Sequence, residues 1–335
     1  MYSPINYQTS DKKLDEVLYE VAIQPVYSEI NRQNLLFKEP ISTKNYLAVV
    51  NQRDGTIVSI VGKNYRLIHN KEALDMGKHL FQLLYPFVKT DDLIPFKVIS
   101  PQSLGSVQID LIHKDVNFRV WEQETWLPFM RIFNSYNRVH ALSFEIGFVR
   151  ELCSNGMLFK KRTMIINYPH TKQQKINLEY NAGQISSTQE IFRDQCRQLF
   201  NVMIPAGQMF PLVCHMMNLN LDIQQMRNPL QSLNRIESMI ETVNLLTERY
   251  CGQNIFSGYD ALNVLTDLVS HQDEYRNLAG YHLNTRSYYQ KPSVLIDTLI
   301  ELHQSGKPKI AEMLAPTNKK LSDLQTHLGV KWNFN

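Results

Sequence analysis

Residues 96–168 are dominated by short runs of β-branched and aromatic residues, each bounded by Pro, Gly, Asn or Asp. Such runs are typical of strands joined by tight turns. In SVQIDLIHK, Val107, Ile109 and Leu111 alternate with polar or charged residues, which places the apolar side chains on one face of a sheet. We therefore expect an antiparallel meander here. The candidate strands are FKVIS, GSVQIDLIHK, NFRVWE, WLPFMRIFNSY, HALSFEIGFVREL and RTMIINYP.

The segment before this meander predicts one hairpin and two helices. The β-branched runs at residues 46–51 and 56–62 flank QRDG, and Asp-Gly between such runs is a strong hairpin signal. A second helix is expected to begin at Asn70, which can cap it, and Pro86 is expected to end it. A short amphipathic helix is expected at residues 11–21, followed by IQPVYSEI and a polar loop to Thr43.

After about residue 186 the apolar spacing changes to that of helices, so the boundary between the two patterns lies near residues 170–185. The sequence predicts an α+β protein, with an antiparallel β-rich N-terminal half that contains a few helices and a helical C-terminal half. The expected organisation is a β-rich domain with a basic face at 1–175, a helical region packed on it at 186–306, and a polar basic tail at 307–335 that packs weakly.

Composition narrows the class of protein. A hydrophobic fraction of 43% predicts a folded chain, and the net charge of +3 neither demands nor excludes an anionic partner. The polar N-terminus, the lack of a bilayer-length apolar run and the four scattered cysteines favour a cytoplasmic protein without membrane contact. The sequence has no P-loop or dinucleotide fingerprint, and its histidines lack ligand spacing, so we expect neither cofactor nor metal.

Residues 129–157 hold the densest set of potentially functional side chains. Glu145, Arg150 and Cys153 could form the site of an enzyme or a small-ligand binder, with His140 as a base for the thiol. The loop matches no nucleophile signature, however, and a lone cysteine is more often a small buried hydrophobe. A structural ion pair between Glu145 and Arg150 is the favoured interpretation of these two charges.

Basic charge is concentrated at residues 119–175, where nine Lys and Arg face four Glu, a local charge of +5. His170, Lys172 and Lys175 close this stretch, and aromatic residues are interleaved with it. Basic groups neutralise phosphates, and aromatic faces stack on unpaired bases. We predict Tyr136 or Phe159 as the stacking side chain. The predicted phosphate contacts are Arg131, Arg138, Arg150, Lys160, Lys161 and Arg162.

Three segments resemble the phage/plasmid-like family known as domain of unknown function 932. They are YLAVVNQRDGTIVSIVGKNYRLIHNKEAL, NSYNRVHALSFEIGFVRELCSNGM and GYDALNVLTDLVSH, which together lie within residues 45–275. At Tyr136, Asn137 and Arg138 the chain departs from the H-D-G that this family tends to carry. The positions that match the family signature include Asn134, Ser135, Arg150, Cys153, Asn155, Asn263, Thr266, Asp267 and His271.

The resemblance implies a mobile-element setting, and with the basic stretch it gives our leading hypothesis. We expect a protein that binds nucleic acid, single-stranded DNA by preference, in replication, recombination or defence, without catalysis. One alternative is the enzyme or small-ligand binder described above. Another is a structural or interaction protein in phage or anti-phage biology, whose helical half contacts a protein partner. A homo-oligomer is compatible with the leading hypothesis.

Overall fold

The computed structural model describes residues 5, 11–28, 41–151, 155–159, 165–172, 187–205, 207–226, 229–251, 255–271, 286–305 and 310–332. The strands are β1 (Val21–Ser28), β2 (Ile41–Asn51), β3 (Ile57–Gly62), β4 (Ile94–Ile99), β5 (Ser106–Ile112), β6 (Phe118–Trp121), β7 (Glu124–Ser135), β8 (Leu142–Arg150), β9 (Gly156–Leu158), β10 (Ile165–Tyr168), β11 (Met203–Pro205) and β12 (Ile255–Ser257). The helices are α1 (Asp11–Val17), α2 (Asn70–Leu84), α3 (Thr188–Phe200), α4 (Met209–Met217), α5 (Pro229–Tyr250), α6 (Gly258–Ser270), α7 (Arg286–Tyr289), α8 (Lys291–Gln304) and α9 (Ile310–Leu328). The α+β class is confirmed.

The predicted hairpin is formed by β2 and β3. Gly55 at its tip has a φ of +75°, which a glycine adopts without strain, and its N–H donates to the carbonyl of Asn51 at 2.9 Å. The prediction missed β1, which pairs antiparallel with β2 and completes a three-stranded sheet. Val49 and Val61 on the inner face of this sheet are fully buried. We call the opposite face, which carries the exposed residues Tyr46 of β2 and Ile60 of β3, the outer face.

The predicted meander forms a second, antiparallel sheet in the order β10-β8-β7-β5-β4, with β6 paired to β7 and β9 paired to β8. Helix α2 packs against one face of this sheet. Gly77 of α2 allows the close approach, because a Cβ at this position would lie 2.3 Å from Cδ1 of Ile132. The apolar residues Val107, Ile109 and Leu111 point to the same side and are buried.

The opposite face of the second sheet is also buried, although it carries polar and charged side chains. Asp110 and Arg131 are each 1% exposed, and Glu145 is fully buried. Residues of the helical half cover them, including Tyr289 at the end of α7. The alternation of the sequence therefore separates two interior faces, one of which carries buried charges, and not a buried face from a solvated one.

The helical half shares one hydrophobic core with the second sheet. Phe192 of α3, for example, packs against Phe148 of β8 with ring centroids 4.9 Å apart and against Trp126 of β7 at 5.1 Å. The β-rich half and the helical half therefore each bury apolar side chains of the other. Among the described residues, none of the helices combines the length and apolar character needed to cross a bilayer.

The expectation of a weakly packing tail after residue 307 is wrong for α9. This helix has Ile310, Leu314, Leu321 and Leu324 buried in the shared core. The apolar stripe was not recognised because these residues recur at helical spacing among polar and charged residues. The helix is therefore part of the folded body.

Candidate nucleic-acid interface

Four basic residues from three separate turns lie at neighbouring ends of the two sheets. Lys63 and Arg66 follow β3, Arg138 lies in the turn between β7 and β8, and Lys172 follows β10. Lys63, Arg138 and Lys172 are exposed; Arg66 is partly exposed and pairs with Glu72 at 3.5 Å. We call Lys63, Arg66, Arg138 and Lys172 the basic cluster.

Backbone hydrogen bonds hold the turn after β3 against the turn after β10. The N–H of Arg66 donates to the carbonyl of His170 at 3.1 Å, and the N–H of Lys172 donates to the carbonyl of Asn64 at 3.1 Å. The two turns are distant in the sequence but adjacent in the fold. The side chains of Lys63, Arg66 and Lys172 therefore leave the backbone within one small area.

Tyr65 links these turns to the third one. Its hydroxyl donates to the carbonyl of Ser135 at 3.2 Å. Burial raises the pKa of Tyr65 to about 12, and the positive charge of Arg138 acts in the opposite direction, so Arg138 lies within electrostatic reach of this hydroxyl. His170 stacks on Tyr65 with ring centroids 5.2 Å apart. Burial lowers the pKa of His170, so the ring is neutral at pH 7 and adds no charge to the cluster.

The signature residues Asn134 and Ser135 hold the third turn in place. The Asn134 amide donates to the carbonyl of Ile68 at 2.9 Å and to Oδ1 of Asn70 at 2.8 Å. The Ser135 hydroxyl donates to the carbonyl of His140 at 2.7 Å and accepts from its N–H at 3.0 Å. These two side chains shape the turn that presents Arg138, and Asn134 is fully buried.

The structure does not support base stacking by Tyr136 or Phe159, because both rings are interior. Tyr136 is fully buried, and its hydroxyl accepts from the N–H of Asn70 at 2.8 Å. Phe159 is 4% exposed and packs edge-on against Phe148 at 5.1 Å. Neither ring offers a face to a nucleotide at the surface.

The predicted phosphate contact by Arg131 is also wrong for this fold. Its Nε and Nη2 each lie 2.7 Å from a carboxylate oxygen of Asp110, and the Tyr289 ring centroid is 4.0 Å from its guanidinium carbon. Burial would lower the pKa of Arg131, but Asp110 outweighs burial and raises it, so the guanidinium stays charged. The strand register places Lys97, Asp110, Arg131 and Glu145 in one row of alternating charge across four strands.

Arg150 belongs to a different network. Its Nε lies 2.9 Å from Oε1 of Glu124, and the side chain is 15% exposed. Glu124 also accepts hydrogen bonds from Trp126 and Tyr259. Since residues five apart on a strand face opposite sides, Arg150 and Glu145 do not share a site, and the favoured ion pair between them is wrong. Arg150 is neutralised by Glu124, which removes it from the expected phosphate contacts.

Several of the remaining signature positions lie where β8 and β9 contact α6: Arg150, Asn155, Asn263, Asp267 and His271. Arg150 donates to the Asn263 side chain at 3.5 Å, and the Asn155 amide donates to the hydroxyl of Tyr250 at 2.9 Å. That hydroxyl donates in turn to Asp267, whose other oxygen lies 3.1 Å from Nδ1 of His271. These partly buried hydrogen bonds join the sheet to the helical half, so these residues have a structural role in this protein.

Four predicted site residues, Cys153, Lys160, Lys161 and Arg162, lie outside the residues that the structure describes. Within the described ranges, no group of His, Cys, Asp or Glu side chains comes together in an arrangement that could hold a metal ion. Cys196, Cys214 and Cys251 are free thiols in the interior, and burial raises the pKa of each. These three thiols are therefore poor nucleophiles.

Sequence reasoning named Arg138 and counted Lys172 but missed Lys63 and Arg66 as part of one surface. Lys63 and Arg66 come many residues before the basic stretch at residues 119–175. The backbone hydrogen bonds between the turns bring them next to Lys172. The run GKNYR directly after the predicted hairpin carried the available signal, because a turn that follows a strand is exposed and its cations are solvated.

Comparisons with known proteins give no match: no family model matches the chain, and no significant similarity is found to a curated protein or to a solved structure. The resemblance to the phage/plasmid-like family remains a prediction from the three segments.

Proposed function

We propose that this protein binds nucleic acid, single-stranded DNA by preference, through the basic cluster, and acts without catalysis in replication, recombination or defence on mobile elements. The observation that carries the proposal is the convergence of Lys63, Arg66, Arg138 and Lys172 from three turns. Membership of the phage/plasmid-like family is part of the proposal and supplies the biological setting.

The contrast between the cluster and the interior cations supports this choice of surface. Arg131 and Arg150 are neutralised by Asp110 and Glu124. Lys63, Arg138 and Lys172 are solvated, and solvated cations release condensed counterions when they contact phosphates. The favourable electrostatic free energy of binding would therefore come from the turns, and not from the strands.

The test is the affinity of the full chain for a fluorescently labelled single-stranded oligonucleotide at low salt. We expect the triple variant Lys63→Ala, Arg138→Ala, Lys172→Ala to bind more weakly by at least tenfold, on the order expected for the loss of about three phosphate contacts. A matched control removes the same charge elsewhere and should bind as the wild type does. Its three positions are exposed lysines of the β5–β6 turn and of α9: Lys114, Lys319 and Lys320.

A further inference from the structure

A second exposed feature adjoins the basic cluster on the outer face of the three-stranded sheet. Tyr46 of β2 is 56% exposed, and its direct cross-strand partner is Gly62 at the end of β3. A Cβ atom at Gly62 would meet nothing within 4 Å. Directly opposed residues share a face of a sheet, so the missing side chain leaves an open shelf beside the tyrosine ring. Ile60, 42% exposed, borders this shelf.

Two exposed lysines, Lys44 and Lys63, lie near Tyr46 along the backbone. Lys44 precedes Tyr46 by two residues on β2, and its side chain is exposed. The N–H of Lys63 donates to the carbonyl of Asn45 at 3.1 Å, so the backbone of this member of the basic cluster lies next to the residue that precedes Tyr46. The exposed ring of Tyr46 and the exposed lysines Lys44 and Lys63 therefore lie close together along the backbone of two paired strands.

We propose that Tyr46 and the shelf over Gly62 form a stacking site for an unpaired base of a nucleic-acid strand whose phosphates contact Lys44 and the basic cluster. The inference rests on the proposed function and specifies its substrate class. An aromatic face stacks on any base, but only on a base that is not covered by its neighbours in a duplex. Tyr46 thereby takes the role that the sequence suggested for Tyr136 and Phe159, both of which are interior.

The first test compares Tyr46→Ala and Tyr46→Phe in the full chain, with an oligothymidylate and a duplex of equal length as probes. Stacking is worth about 1–3 kcal/mol per base, so Tyr46→Ala should weaken single-strand binding roughly 5- to 150-fold, whereas Tyr46→Phe should retain it. Phe87→Ala is the control, because Phe87 is 71% exposed and lies beyond the far end of α2 from Arg66. An equal loss on duplex DNA would overturn the stacking assignment.

A second variant tests the shelf without removing any side chain. Gly62→Val places a branched side chain in the open space, and Gly62 has no positive φ that would oppose it. A β-branched residue suits a strand, so the fold should be retained and the thermal unfolding temperature should not fall. We expect Gly62→Val to weaken single-strand binding as Tyr46→Ala does. Unchanged binding by both variants would overturn the inference.

An abasic strand separates this inference from the proposed function. It presents phosphates without bases, so the triple variant of the basic cluster should still weaken its binding while Tyr46→Ala should not. If Tyr46→Ala is neutral on every probe and the triple variant is not, the stacking site is wrong and the proposed function stands. If the wild type binds no probe at low salt, the proposed function itself fails.

Discussion

Arg131 and Asp110 face each other on adjacent strands of the second sheet and form a two-point ion pair, with both N–O distances 2.7 Å and both side chains 1% exposed. Removing one partner of a buried pair leaves an uncompensated charge in the interior. We therefore expect Asp110→Ala to lower the free energy of unfolding by about 3–5 kcal/mol in urea denaturation. Asp115→Ala, at an exposed position in the next turn, should change it by less than about 0.5 kcal/mol.

Replacing both partners tests whether the stability lost in Asp110→Ala comes from the unpaired charge or from lost packing. The double variant Asp110→Leu, Arg131→Met keeps apolar volume and leaves no unpaired charge, so it should be closer in stability to the wild type than Asp110→Ala is. A double variant that is less stable than Asp110→Ala would contradict this account of the pair.

Tyr289 gives a prediction about pH. Its hydroxyl accepts from Nζ of Lys97 at 2.8 Å, and its ring lies over Arg131. Burial alone would raise the pKa of Tyr289, but Lys97 and Arg131 outweigh burial and lower it. Because the pKa of Tyr289 is lower in the folded state, ionisation of its hydroxyl stabilises the folded state. This contribution is complete above the pKa of tyrosine in the unfolded chain, about 10, and is lost as the pH falls through the folded pKa. The stability of the wild type relative to Tyr289→Phe should therefore increase from neutral pH toward about pH 10.

Tyr65 provides a control, because its effect on the pH dependence of stability has the opposite sign. Burial raises the pKa of Tyr65 to about 12, so its contribution is complete below the unfolded pKa and is lost as the pH rises toward about 12. The stability of the wild type relative to Tyr65→Phe should decrease over that alkaline range. Denaturation at a series of pH values measures both differences, and a flat profile for Tyr289→Phe would contradict the electrostatic role of Lys97 and Arg131.

Substitutions at Glu124 and Arg150 can separate an effect on the stability of the fold from an effect on nucleic-acid binding. Glu124 is 9% exposed, forms an ion pair with Arg150 and accepts hydrogen bonds from Trp126 and Tyr259. Glu124→Ala leaves several buried donors without an acceptor and should lower the free energy of unfolding by about 3 kcal/mol or more.

Arg150→Met tests whether this cation contacts phosphate. Because Glu124 already neutralises Arg150, the substitution should lower stability and leave the salt dependence of oligonucleotide binding unchanged. A reduced salt dependence in Arg150→Met would return Arg150 to the phosphate contacts that the sequence predicted.

Local signals in the sequence predicted much of the fold. The Asp-Gly turn gave the hairpin, with Gly55 at a positive φ, and the apolar period after Asn70 gave α2 almost to its last residue. Strand β1 was missed because IQPVYS contains a proline and too little alternation, and its pairing with β2 is a tertiary contact. The interior leucines of α9 were missed because polar and charged residues separate them along the chain.

The candidate site could not be predicted to the same extent. Arg131 and Arg138 look alike in a count of charge, but the strand register places one beside Asp110 and the turn places the other in solvent. Register and turn pairing depend on contacts between distant segments, which one sequence does not reveal. For the same reason the sequence grouped Glu145 with Arg150, although the pleat of β8 sends them to opposite faces.

The salt dependence of single-strand binding tests the central claim most directly. Each phosphate contact on a single strand contributes a slope of about −0.7 to a plot of log affinity against log salt concentration. The triple variant Lys63→Ala, Arg138→Ala, Lys172→Ala should therefore show a slope that is shallower than that of the wild type by about 2. The control variant at Lys114, Lys319 and Lys320 should keep the wild-type slope. A wild type that binds without salt dependence, or a triple variant with the wild-type slope, would contradict the assignment of the basic cluster as the nucleic-acid interface.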